Sequence, residues 1–258
     1  MNEQVRAILA ENGTKTLKIR KLLLLGLTHR EIADLVTRGN RGFVWNVYKR
    51  MRDEGMLPAS QNSRISSPDL DFSFRRKFGV EIEAYNCTKH KLIRELQEIG
   101  IAVREEGYNH ETRGHWKLTT DGSLNGSNTF ELVSPILEGE NGLEELEKVC
   151  WVLELCNVKI NESCGLHVHM NATDFDIATW QNLLLSYKHA ENEIDSFMPA
   201  SRRNNHFCRS LRGISDESIK AARTVEQLQR LFPTTNGTRR YQKVNLEAYS
   251  RHKTVEFR

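Results

Sequence analysis

What the sequence lacks narrows it first. Its five cysteines (Cys87, Cys150, Cys156, Cys164 and Cys208) are odd in number and contain no CxxC pair. This excludes a disulfide framework and a cysteine zinc cage, and reduced thiols in a cytoplasm fit best. The longest aliphatic run is Leu22–Leu25, far short of the roughly 20 residues that cross a bilayer. Met1–Gly13 has no basic segment followed by an apolar one, so it does not read as a secretory signal. Prolines number only five and no internal repeat is present, which removes the fibrous classes. No GxxxxGK[ST] and no GxGxxG occurs, so any nucleotide must be held by metal bridges and basic side chains and not by a phosphate-cradling loop. What is there suffices for a core: 258 residues, 38% of them hydrophobic and 28% charged, which predicts one or two globular domains.

Charge is unevenly divided. Residues 1–66 hold twelve Lys and Arg against six Asp and Glu, whereas the remainder holds 25 against 28. A basic head on a mildly acidic body points to two units with different partners. The Ser-, Pro- and Asn-rich stretch PASQNSRISSPDLD divides them, giving a helical domain over 1–57, a linker over 58–74 and a second domain over 75–258. In the head, Leu17–Leu25 reads as a helix ended by Gly26. Thr28 to Glu31 has the form of a capping box opening a short helix with Ile32, Leu35 and Val36 inward. A turn around Gly39 leads to a third helix with Phe43, Val44, Val47, Tyr48 and Met51 at helical spacing. This is a helix-turn-helix-like plan, whose last helix is expected to offer Arg38, Arg41, Asn46, Lys49, Arg50 and Arg52 to DNA. A trihelical unit with a solvated basic face that binds protein, or nothing, is the plainer alternative.

The body contains short segments of strict alternation. Along Phe78–Ala84, Val80, Ile82 and Ala84 share one strand face while Glu81 and Glu83 share the other. In Gly165–Met170, His167 and His169 oppose Leu166, Val168 and Met170. Near the C-terminus Lys243 and Asn245 oppose Val244 and Leu246, and Glu256 and Arg258 oppose Val255 and Phe257. Trp116–Thr119 and Thr129–Val133 read as a hairpin turning through Asp121-Gly122-Ser123, with Trp116 in the sheet core. Amphipathic helices over Leu143–Cys156 and Asp176–Met198 can cover the apolar face. The class expected is therefore α+β, an antiparallel or mixed curved sheet with helices on one face. A wet sheet face is the plainer reading of the polar side. Yet a Glu-x-Glu strand stacks like charges about 7 Å apart, which is costly without cations between them. Glu81, Glu83, Glu131 and Glu256 suit a hard divalent ion, with His and Arg left for phosphate. Cys164 and Cys208 read as small buried thiols, and His189 and His206 carry no assigned role.

The pieces FGVEIE (78–83), WKLTTDGSL (116–124), FELVSPIL (130–137), CGLHVHM (164–170), SRRNNHFC (201–208) and RYQKVNLEAYSRHKTVEFR (240–258) together resemble the amidoligase family, carboxylate–amine ligases with a glutamine-synthetase-like fold. The resemblance implies a concave sheet holding ATP and Mg²⁺ that joins a carboxylate to an amine through an acyl phosphate. On it, Glu81, Glu83, Glu131 and Glu256 look like metal carboxylates. His167 and His169 look like holders of metal or phosphate, and Arg258 like the neutraliser of the transferring phosphoryl group. Asn245, Arg202, Arg203 and Lys117 look like substrate or phosphate contacts. Two departures stand out. Phe130 occupies a position where the family tends to have Gly, which is expected to crowd that strand. Family members also continue past the Glu-Phe-Arg motif, so a truncation, or a second polypeptide completing the chain, and weak activity alone are expected.

Three readings follow: an ATP- and Mg²⁺-dependent ligase acting on an amino acid, peptide or cell-wall fragment; a DNA-binding regulator with an inactive ligase-fold sensor; and a metal-dependent hydrolase using the His-x-His strand.

Overall fold

The computed structural model describes residues 3–57, 74–107, 109–203 and 205–258. The expected linker at 58–74 thus lies, except for Phe74, outside the described residues, as do Tyr108 and Asn204.

Four helices build the N-terminal unit: α1 (Glu3–Ala10), α2 (Lys15–Leu24), α3 (His29–Val36) and α4 (Arg41–Asp53). The sequence pattern predicts the last three, and α1 is additional. Each predicted start has a side-chain cap. Thr14 accepts from the Leu17 amide, Thr28 and Glu31 form the reciprocal capping box, and Asn40 accepts from the Phe43 amide. Gly26, at φ +80°, ends α2 in the left-handed region, with Gly26 N–H on the Leu23 carbonyl and Leu27 N–H on that of Leu22. Val5, Ile8, Ile19, Leu22, Ile32, Val44, Val47 and Met51 form the core of this unit. Phe43, expected inward, is exposed.

The remaining elements run β1 (Lys77–Ala84), α5 (Lys89–Glu98), β2 (Val103–Glu105), β3 (Trp116–Thr119), β4 (Phe130–Val133), β5 (Leu137–Glu138), α6 (Gly139–Leu155), β6 (Leu166–Asn171), α7 (Ile177–Phe197), α8 (Ala200–Arg203), α9 (Asp216–Ala221), α10 (Val225–Arg230), β7 (Val244–Asn245), α11 (Ala248–His252) and β8 (Thr254–Phe257). The strands form one mixed sheet in the order β2-β3-β4-β1-β6-β8-β7, with β5 pairing the start of β1. Only β2–β3 is parallel; the other pairs are antiparallel. This is the α+β arrangement that alternating strands with one covered face predict.

Period-two alternation separates the faces. Val80, Ala84, Trp116, Leu118, Phe130 and Leu132 turn to one side, where α5 (Leu92, Leu96) and α6 (Val149, Val152, Leu155) cover them. Farther along the sheet, Val244, Leu246 and Val255 meet Trp180 and Leu184 of α7, Ile219 of α9 and Leu228 of α10. Trp116 lies in the core as expected, its indole N–H donating to Glu145 at 2.7 Å. Phe130 does not crowd the strand: it points away from Glu131 and is fully buried in the first core. Leu143, Leu166 and Phe197, all expected inward, are instead exposed. Among the described residues no helix is long and apolar enough to cross a membrane.

Because Phe130 fills the core, Phe130→Gly should destabilise the protein by about 3–5 kcal/mol or more. Urea unfolding followed by circular dichroism measures this, and an unchanged midpoint would show that the phenyl group is dispensable.

Candidate active site

The register of the sheet sets the polar face. Glu83 is paired directly with Glu131, and Glu131 with Thr119. In the next row, Lys117 pairs with Val133, Val133 with Glu81, and Glu81 with His167. One row on, Gly79 pairs with His169, His169 with Glu256, and Glu256 with Asn245. Directly paired strand residues share a face, so three rows from six strands lie side by side. They floor a cleft of about 1640 Å³ walled by residues of the segments 109–112, 120–125, 162–163 and 236–241. That exceeds the roughly 300–1,000 Å³ of an ordinary small-molecule pocket, and leaves room for more than one ligand.

Of the four glutamates expected to act together, Glu83 and Glu131 stand at one end of this floor, Glu256 at the other and Glu81 between them. At one end, ligand oxygens of Glu83, Glu131 and Asp121 lie within 4.8 Å of one another. Glu83 is fixed by the Gly165 amide, which donates to Oε2 at 2.5 Å. Burial first, and then the negative charges of Glu81, Glu83 and Asp121, push the Glu131 carboxyl up to about 8 against the pull of Lys117. A hard divalent cation would remove that repulsion, and an all-oxygen donor set is what Mg²⁺ prefers. The buried Thr119 Oγ1 beside Glu131 in the ladder has no hydrogen-bond partner among the described residues. The chemistry of the donor set fits a divalent cation.

At the other end Glu256 is buried and shared: Asn245 Nδ2 donates to Oε2 at 2.5 Å and Arg258 to Oε1 at 2.8 Å. The Arg258 Nε is buried without a partner among the described residues, and its guanidinium lines the cleft, which suits it to an anionic ligand. Glu81 links the ends. Its Oε2 lies 2.9 Å from His167 Nδ1 and its Oε1 3.6 Å from His169 Nε2. Burial works to raise the Glu81 carboxyl, but the hydrogen bond and charge of His167, with His169 and Arg258, outweigh it and draw it down to about 2. His169 is oriented by Thr254 Oγ1, 2.9 Å from its Nδ1.

The other expected contacts divide as well. Arg202 lines the cleft, with one guanidinium nitrogen donating to the Cys164 carbonyl. Arg203 does not: its Nε donates to the Met198 carbonyl at 2.9 Å, which turns it away. Lys117 lines the cleft but its ammonium is tied to the Asn109 carbonyl and Oδ1, both at 3.1 Å, and to the Glu111 carbonyl at 2.8 Å, so it tethers a wall. Cys164 and Cys208 are buried free thiols. On the N-terminal unit, Arg38, Asn46 and Arg50 are exposed, whereas Arg41 and Lys49 pair with acids of the body.

Sequence reasoning missed Asp121, taken only as a turn residue, and Gly165. A Cβ at Gly165 would lie 2.9 Å from His167 Nε2 and 3.0 Å from Glu83 Oε2. The position therefore needs glycine to let two site side chains meet over it. A signal for Asp121 was its place just past the strand carrying Lys117 and Thr119.

A family model described as "Putative amidoligase enzyme" matches residues 75–258. No curated protein and no solved structure matches the chain.

The raised Glu131 carboxyl gives a signed pH prediction. Between about 4.5 and about 8 the folded state holds a proton that the unfolded state has lost, so stability falls as pH rises through that window. Glu131→Gln should remove the fall and raise the melting temperature at pH 8 in metal-free buffer, by roughly 2–4 °C for each kcal/mol recovered. Mg²⁺ should then stabilise the native protein but not the variant. Differential scanning calorimetry across pH checks both; parallel pH profiles for the two proteins would refute the assignment.

Proposed function

The chain belongs to the amidoligase family, and from that premise we propose that its cleft condenses a carboxylate with an amine, using ATP and Mg²⁺, through an acyl phosphate. We read the sheet as the catalytic sheet of a glutamine-synthetase-like fold, and α3, the Gly39 turn and α4 as a helix-turn-helix-like unit attached to it. The observation that carries the functional reading is the polarity of one cleft. An oxygen-only carboxylate cluster stands at one end and, at the other, the half-buried Arg258 guanidinium, whose Nε–H has no partner among the described residues.

The chemistry balances in two steps. A substrate carboxylate oxygen bonds to the terminal phosphorus of ATP as ADP leaves. The amine nitrogen then bonds to the acyl carbon as inorganic phosphate leaves and the nitrogen gives up a proton. Joining two anions makes the first step a problem of positioning and charge neutralisation. Mg²⁺ held by Glu83, Asp121 and Glu131 would supply that neutralisation on the phosphate side. Arg258 offers its free Nε–H to a phosphoryl or carboxylate oxygen, while Glu256 holds the guanidinium in place through its other nitrogen. Glu81, ionised at neutral pH, sets the ring of His167 through Nδ1. Lys117 braces the 109–111 wall, and such walls keep water from a reactive acyl phosphate.

The test is ADP release from the full chain with ATP, Mg²⁺ and a panel of amino acids and peptides, with amide product followed by mass spectrometry. Release should depend on both a carboxylate and an amine. Asp121→Asn and Arg258→Ala should each lower the rate by about 10²–10³-fold, with the circular dichroism spectrum retained. Full rates in both variants, or amide cleavage without ATP, would overturn this reading.

A further inference from the structure

The basic N-terminal unit has no place in the reaction above, and the charge excess that marks it in the sequence has a partner inside the chain. Helix α4 has two working stripes. Val44, Val47 and Met51 feed the core of the helical unit itself. A second stripe, at positions 41, 45, 48 and 52, has the i, i+4, i+7, i+11 spacing of one helix face, and it lies against α5 and α6 of the other domain. Arg41 pairs with Glu95 and Glu98, and Arg52 with Glu147; Lys49, beside this stripe, reaches Glu144 at 2.6 Å. Between these ion pairs Trp45, 3% exposed, joins the core cluster that includes Leu92, Leu96, Val149 and Val152. Its ring centroid is 5.7 Å from that of Trp151 on α6. Tyr48 packs on the same cluster, and the Trp151 indole N–H donates to His29 at the start of α3. Burial draws that His29 down to about 4.

We propose that the N-terminal unit is a buttress of the catalytic sheet: the Arg41–Trp45–Tyr48–Arg52 face of α4 is an intramolecular docking surface that clamps α5 and α6 against the back of β1, β3 and β4. The layers stack in the order α4, then α5 and α6, then the sheet. The opposite surface of that sheet carries Lys117, Thr119, Glu83 and Glu131. The buried tryptophan is the reason to prefer this to a nucleic-acid face. Duplex recognition leaves a helix's reading face open to solvent in the free protein, whereas Trp45 is already packed into another domain's core. Three of the basic residues that flank it are spent on Glu95, Glu144 and Glu147.

The full-length chain tests this in three measurements. Lys49→Glu should lower the melting temperature by about 2–4 °C, and the double variant Lys49→Glu/Glu144→Lys should be more stable than the sum of the two single changes predicts, because the swap rebuilds the pair across the units although it gives up the Glu144–Lys148 pair within α6. Trp45→Ala should speed amide hydrogen exchange in α5 and α6 as well as in α4. A 20-base-pair mixed-sequence duplex at 0.15 M salt should bind the native chain and Arg41→Glu equally weakly. Additive effects of the two charge reversals, or exchange changes confined to residues 3–57, would overturn the docking role. Tight duplex binding that Arg41→Glu abolishes would give the face to nucleic acid instead.

Discussion

Glu83 and Glu131 face each other as directly paired residues of neighbouring strands, and much of the polar face is organised by that confrontation. Neither can turn away without breaking the register, because a one-residue slip would carry the apolar residues of β1 and β4 to the wet side. Asp121 adds a third carboxylate from a turn. Lys117, whose positive charge works against the rise at Glu131, has its ammonium protons committed to the 109–111 segment. Hydrophobic burial on the far side of the strands therefore holds together carboxyl groups that would repel each other if all were ionised, and Glu131 answers by keeping its proton up to about 8. Full burial of one large apolar side chain contributes about 1.5–3 kcal/mol, and six such residues of β1, β3 and β4 lie under α5 and α6. The apolar face thus sustains a cluster that would otherwise come apart, and the cluster in turn favours whatever cation enters it.

The alternation of Glu81 and Glu83, of His167 and His169, and of Glu256 and Arg258 made the shared face legible, because strand periodicity is a local property of the chain. The division of that face into two ends was not legible. It depends on strand order: β4 on one side of β1 and β6, β8 and β7 on the other place Glu131 next to Glu83 but Glu256 next to His169. Strand order is set by crossovers that no single segment encodes. Asp121 escaped notice for a similar reason, since a turn residue comes beside Glu83 and Glu131 only when the hairpin folds over a third strand. Gly165 escaped because its role is to be small under two side chains that come from different strands.

The basic head shows a different limit. Charge excess announces that a partner of opposite sign exists, and it does not say where the partner is. The acids that answer Arg41, Lys49 and Arg52 sit on α5 and α6, diluted among the charges of a mildly acidic domain. One signal was available. Trp45 falls off the stripe of Val44, Val47 and Met51 that packs the head, so a large aromatic on a second face of α4 already implied a second apolar contact.

Buried polar atoms in folded proteins are nearly all paired, which makes the exceptions informative when they fall in a cleft. Most of the buried polar side chains on this floor are satisfied from within: Glu83 by the Gly165 amide, Asn245 and Glu256 by each other, Lys117 by its wall, His167 by Glu81. Thr119 Oγ1 and Arg258 Nε have no partner among the described residues. They stand at opposite ends, one beside the carboxylate cluster and one beside Glu256. Thr119 lies beneath the cleft floor, whereas Arg258 and the carboxylates Glu83, Asp121 and Glu131 line the cleft itself. A cation-binding cluster and a guanidinium, in a volume larger than one small ligand fills, match a reaction that must hold a charged donor and an acceptor at once.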